Sequence, residues 1–126
     1  MRISWCAAVV LLVVNASVRA NPAENDAAMV QLATDSGCMA CHALLPGPRR
    51  ADGLPPIAPP WREIAIKYRD DPTAADRLTR IVMTGSDPQA RHWAGRVGVV
   101  AMPPNAAAVS RADAHALVNW ILVLVP

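Results

Sequence analysis

The sequence predicts an all-α domain of four or so short helices. Three observations carry that prediction. Apolar residues recur at helical spacing in several stretches, no stretch shows the strict alternation of a half-buried strand, and proline and glycine gather mainly between the periodic stretches. At 126 residues the chain has room for one domain.

The opening segment has a different character. Arg2 supplies a positive charge, Trp5 to Val14 are continuously apolar, and Val18-Arg19-Ala20 resembles a small-residue cleavage site. This is the pattern of a secretory signal peptide over residues 1–20, cut after Ala20, with the domain over residues 21–126. An uncleaved anchor is the rival, but ten apolar residues followed by Asn15 fall short of the roughly 20 that cross a bilayer. The mature chain is expected to have no membrane span. Cys6 leaves with the leader, as do Arg2 and Arg19, so ten basic residues face ten acidic ones and the mature chain is formally neutral. No clustered basic stripe marks a nucleic-acid binder. Neutrality further predicts that exchange with partner proteins depends weakly on salt at long range.

Residues 23–36 predict the first helix. Pro22 suits its first turn, Glu24 and Asp26 suit its positive end, and Ala28, Met29, Leu32 and Ala33 share a face. Gly37 stops it. Residues 43–60 form a loop, with six of the twelve prolines together with Gly47 and Gly53. Arg49 and Arg50 in that loop read as solvated, with docking as the alternative. Trp61, Ile64, Ala65 and Tyr68 mark a short second helix. Asp71-Pro72 reads as an N-cap with proline at the first helical position, followed by the stripe Ala74, Leu78, Ile81 and Val82 up to Gly85. The last helix starts at Ser110 with Asp113 three residues on, and buries Ala114, Leu117, Trp120, Ile121 and Leu124. Residues 85–109 lack a pattern of their own, and a loop of that length in a small domain implies a function.

The chemistry is concentrated in Cys38-Met39-Ala40-Cys41-His42. Two thiols at C-x-x-C spacing followed by histidine suit covalent attachment of one c-type haem, with thioethers from Cys38 and Cys41 and His42 as the proximal ligand. A thioredoxin-like pair would want a βαβ context, and a zinc site would want a second ligand pair. Neither is present. The mature chain has no Phe, three Trp and one Tyr, so a buried haem would supply apolar mass that the side chains lack. Within the long loop, Met102-Pro103-Pro104-Asn105 offers a thioether on a proline-stiffened turn, a candidate sixth ligand. Met29 and Met83 sit on helices as packing, and Met39 is held away from the iron between the cysteines. His92 is the alternative ligand, although an exposed histidine is the commoner reading. His115 shares a helical face with Arg111 and Asn119 and reads as solvated.

C-x-x-C-H after a first helix, M-P-P-N some sixty residues later and a last helix with a buried tryptophan together resemble class I monohaem cytochrome c, notably the short bacterial electron carriers. The resemblance spans most of residues 24–125. It implies the cytochrome c fold wrapped around one haem, with His42 and Met102 as axial ligands. Ala58-Pro59-Pro60-Trp61 matches the family's Gly-Pro-x-aromatic stretch, which implies that the Pro59 carbonyl accepts the imidazole N–H. Asn105 is implied to donate to the Met102 sulfur, and Trp93 to reach a haem propionate. The loop before Pro59 and the Gly85–Met102 segment are both longer than the family pattern, and Val82 and Met83 stand where polar or basic residues often flank the Gly-Ser pair.

The function expected is single-electron transfer by a periplasmic carrier in a respiratory chain, monomeric or in transient complexes with a reductase and an oxidase or dehydrogenase. Leu32, Trp61, Ile81, Leu117 and Ile121 are expected to form the apolar shell of the haem. A dedicated haem subunit of a larger dehydrogenase or oxidase complex is the alternative. A haem enzyme or gas sensor would require an open iron site.

Overall fold

The computed structural model describes residues 22–90 and 92–124. The leader expected over residues 1–20, with Cys6, lies outside them. Among the described residues four helices follow in order, α1 Pro22–Asp35, α2 Trp61–Tyr68, α3 Ala74–Thr84 and α4 Arg111–Leu122, with a 3-10 turn at Cys38–Ala40. Among the described residues there is no strand.

α4 is the central element, packing on α1, α2 and α3. Its start is locally encoded: the Ser110 hydroxyl accepts from Asp113 N at 3.1 Å and donates to the Asp113 carboxylate at 2.7 Å. Such a cap contributes about 1 kcal/mol. The helix buries Ala114, Leu117, Val118 and Trp120, while Ile121 is half-buried and Leu124 falls beyond the helix end. Val118 is buried although it lies off the expected stripe, because α4 has neighbours on more than one side.

The core joins Ala33 of α1, Trp61 of α2 and Val109 to Ala114, Leu117 and Trp120 of α4. Trp61 and Trp120 meet edge to face with centroids 5.6 Å apart, a geometry that contributes about 0.5–1.5 kcal/mol beyond burial. Trp120 Nε1 also donates to Asp26 Oδ1 at 2.8 Å, so Asp26 ties α1 to α4 as well as suiting the positive end of its own helix. Met29, Met39 and Met83 pack against this core, whereas Ala28 is exposed.

α3 begins later than an N-cap at Asp71 would place it. The Asp71 carboxylate instead accepts from Thr73 N at 2.9 Å and Thr73 Oγ1 at 2.7 Å, and pairs with Arg77. Asp71, Pro72 and Thr73 thereby form a turn of their own, and the helix starts at Ala74. The Asx turn competes with capping because the same side chain can serve either.

Candidate functional site

The helices and the loops between them border a cavity of about 300 Å³, partly open to solvent and predominantly apolar. One part of its wall is built by Cys38, Cys41, His42, Pro59 and Trp61. Trp93, Met102 and Asn105 line it from the long loop. Leu78, Ile81 and Val82 of α3 and Leu117 and Ile121 of α4 complete the apolar surface. Every residue singled out from the sequence as a haem contact therefore borders one space. Leu32 is the exception among the shell residues: it packs against the core.

The first wall follows from the end of α1. Gly37 turns the chain with φ 76°, and His42 N and Cys41 N both bond back to Cys38 O, at 3.1 and 3.3 Å. The two thiols are thereby held in a tight turn, both free, with Cys41 exposed. Partial burial raises the Cys38 thiol pKa above its ordinary value.

His42 is oriented from behind. Its Nδ1 lies 2.9 Å from the Pro59 carbonyl oxygen, the contact that the family resemblance implies. A carbonyl can only accept, so Nδ1 carries the proton and Nε2 keeps its lone pair. The Trp61 ring stacks on the imidazole at 5.9 Å and 28°. Burial pushes the His42 pKa down, partly opposed by the Pro59 bond, so the ring is held neutral, as metal ligation requires. Pro59 is itself fixed, because Trp61 N donates to Ala43 O at 2.9 Å and Arg62 N to Leu44 O at 3.2 Å.

Met102 is placed through its backbone, by contacts with Ser86. Ser86 N donates to Met102 O at 2.9 Å, and Met102 N donates to Ser86 Oγ at 2.9 Å. Gly85 lies beneath with φ 84° and ψ 164°, and a Cβ there would stand 3.0 Å from Met102 O and 3.1 Å from Pro104 Cδ. Asn105 completes the clamp differently from expectation. Its backbone N donates to Val82 O at 3.0 Å, and its Nδ2 donates to Pro103 O at 2.7 Å and Val82 O at 3.3 Å. Both amide hydrogens go to carbonyls of the turn and of α3 rather than to the Met102 sulfur. Asn105 thus fixes the loop path instead of the thioether.

Ser86, Gly85 and the Val82 carbonyl are positioning groups that the sequence reading did not assign. The Gly85-Ser86 pair is their signal in the sequence, where Gly85 by itself reads as a helix stop. Trp93 is half-buried, with Lys67 Nζ 5.0 Å and the Arg96 guanidinium 5.4 Å from its ring centroid. His92 borders the cavity but is exposed. His115 is exposed, with Asn119 Nδ2 3.0 Å from its Nδ1.

Two free thiols, an imidazole with an available nitrogen and a thioether, all on one apolar cavity, are a donor set that fits a covalently held haem. No family model matches the chain. Among known proteins it is 41% identical over 93 residues to cytochrome c-551 of Allochromatium vinosum, covering 74% of this chain and 82% of that one. It is 37% identical to cytochrome c-552 of Nitrosomonas europaea, covering 74% and 75%. The crystal structure of wild-type Nitrosomonas europaea cytochrome c552 superposes with a TM-score of 0.58 at 35% identity, over 75% of this chain and 96% of that one. The chain belongs to the class I monohaem cytochromes c. Within them it is similar to the small c-551 and c-552 proteins of bacteria, and it is a small electron carrier rather than an enzyme.

Proposed function

We propose that this protein is a periplasmic single-electron carrier that holds one haem through Cys38 and Cys41, with His42 and Met102 as axial ligands. When bound, the haem supplies one-electron chemistry through its ferric and ferrous iron. The observation that carries the axial pair is the orientation of His42. Its Nδ1 is committed to Pro59 and its Nε2 is left available, on a cavity whose other wall carries a Met102 clamped by Ser86. A thioether ligand favours the ferrous state relative to a second imidazole. Ile81, Leu117 and Ile121 exclude water and disfavour net charge, which raises the potential further.

The periplasmic assignment rests on the leader pattern over residues 1–20 and on the bacterial relatives. Among the described residues no helix is long and apolar enough to cross a membrane. Trp93 is assigned to the propionate side of the haem, where its indole N–H and the cations beside it would meet the negative charge.

The test is carbon monoxide binding set beside electron exchange. The ferrous protein should take up carbon monoxide slowly or not at all near neutral pH, yet exchange electrons rapidly with an electrode. Rapid carbon monoxide uptake by the unmodified protein, with turnover of a small substrate, would overturn the carrier reading.

A further inference from the structure

α2 faces two ways. Trp61, Ala65 and Tyr68 are buried on one side, and Glu63 and Lys67 stand one turn apart on the other. That outer face receives the long loop before Met102. Arg96 donates to Glu63 Oε2 at 2.8 Å, and Lys67 Nζ lies 5.0 Å from the centroid of the Trp93 ring. Trp93 and Arg96 belong to one turn, in which Arg96 N donates to Trp93 O at 3.0 Å and Val97 N to the same oxygen at 3.3 Å. Directly after it, Gly98 N donates to Pro56 O at 2.9 Å. Pro56 lies just before Pro59, whose carbonyl orients His42. The loop that carries Met102 is thus fastened to the frame that carries His42, at a place that involves neither Ser86 nor Asn105.

The chain beyond Gly98 is held much less. Val99, Val100 and Ala101 make no backbone hydrogen bond among the described residues, and Val99 and Val100 are 82% and 67% exposed. The next fixed point is Met102 itself, at Ser86. Packing adds little at the fastening, because a polar cleft of about 290 Å³ opens between Pro56, Glu63, Arg96 and Val97. A Cβ on Gly98 would meet nothing closer than Pro56 O at 3.8 Å. The turn is therefore held by a few discrete bonds, which can open without repacking the core. The other charges nearby are engaged in their own turns. Arg49 borders the same cleft and donates to Gly53 O at 3.2 Å, and Asp87 on the cavity wall accepts from Gln89 N at 2.8 Å.

We propose that Glu63 and Arg96, together with the Gly98–Pro56 bond, form a latch that positions Met102. Closed, it holds the thioether in the cavity. Open, it frees the segment from Trp93 to Met102 to swing outward, with the Ser86 bonds as the remaining tie. Glu63 and Arg96 are positioning residues, acting on the ligand through three residues that have no backbone bonds of their own. The inference rests on the reading of Met102 as an axial ligand. The Arg96 guanidinium has donors beyond the one on Glu63, so this role leaves its place beside Trp93 unchanged. It also leaves Trp61 out, because the latch sits on the opposite face of α2 from the ring stacked on His42.

Two readouts on the haem-loaded protein test the latch: hydrogen exchange at the Gly98 amide, and carbon monoxide uptake by the ferrous form. Glu63→Gln should quicken both about twofold to fivefold, the range expected of an exposed ion pair. Gly98→Pro removes the donor to Pro56 O and should quicken uptake about tenfold. Gly98→Ala keeps that donor and has room for its Cβ, so its uptake should match the unmodified protein. The exchanged pair Glu63→Arg/Arg96→Glu should restore slow uptake at unchanged net charge, which separates the latch from an effect of charge on the iron. Ser110→Ala removes the cap of α4 and lowers thermal stability, but should not quicken uptake. Equal quickening in Ser110→Ala would mean general loosening and would overturn the latch. So would uptake and Gly98 exchange at the unmodified rate in Glu63→Gln with the sulfur-to-iron band intact. Absence of that band from the unmodified protein would instead overturn the axial reading itself.

Discussion

The two walls of the cavity hold their candidate ligands by different means. On the His42 side the ring itself is held: Nδ1 bonds Pro59, Trp61 stacks on its face, and the residue lies in a tight turn whose N–H groups return to Cys38. On the Met102 side only the backbone is held, by Ser86 and by the turn that Asn105 braces. A ligand fixed through its own side chain resists displacement. One carried on a clamped loop can leave when the loop shifts. The difference teaches where this site is permanent and where it is replaceable, and it orders the consequences of mutation.

The largest effect belongs to the permanent wall. Cys38→Ala or Cys41→Ala should weaken haem retention in acid organic solvent, where axial bonds fail and thioethers survive. The double variant should release all haem. Haem that extracts freely from the unmodified protein would break the comparison at its root.

Next comes the replaceable wall. Met102→Ala should leave haem attached, because both thiols remain, but should open the iron to carbon monoxide and lower the potential. His92 borders the same cavity, so it or water is the expected substitute ligand. His92→Ala alone should leave the native sulfur-to-iron absorption band intact. In the Met102→Ala background it should raise carbon monoxide affinity further. A native band that persists in Met102→Ala would assign the ligand to another methionine.

These two walls were not equally legible in the sequence. Cys38, Cys41 and His42 stand out because covalent chemistry demands a spacing that survives any loop length. The α4 cap was legible for a related reason, since Ser110 and Asp113 meet within one helical turn. The clamp under Met102 depends on contacts between residues 16 and 23 positions apart, and the path of a patternless loop decides which groups meet. Asn105 shows the limit most plainly. The family resemblance named the residue, but its amide bonds two carbonyls that only the folded loop brings near. Asp26 and Trp120 meet across 94 positions, which no local rule would pair.

Gly85 sharpens the comparison from below. Its φ of 84° with ψ of 164° lies in a region that L-residues avoid at a cost of about 1–3 kcal/mol. Gly85→Ala adds a Cβ at 3.0 Å from Met102 O, where the loop must give way. The expected result is a loosened Met102: a weaker sulfur-to-iron band, faster carbon monoxide uptake and lower thermal stability, with haem retention unchanged. Unchanged carbon monoxide kinetics would mean that loop position does not govern the ligand.

Ser86→Ala is the gentlest probe, since it removes one hydroxyl and leaves the Ser86 N–H bond to Met102 O in place. Met102 N loses its acceptor at Ser86 Oγ. The site is part-buried, so the cost should sit near the low end of the range for an unmade bond, about 1 kcal/mol. In a domain of about 100 residues that lowers Tm by roughly 4–8 °C. If the lost bond weakens the ligated arrangement by the same amount, the population with Met102 detached rises about fivefold, and carbon monoxide uptake gated by that population rises with it. Potential should move little, because the ligand set is unchanged. The decisive comparison is Pro59-side disturbance by Trp61→Leu, which removes the ring stacked on His42 and should lower stability without quickening carbon monoxide uptake to the same degree. If both variants speed uptake equally, the two walls are one mechanical unit and the division between held ring and clamped loop fails.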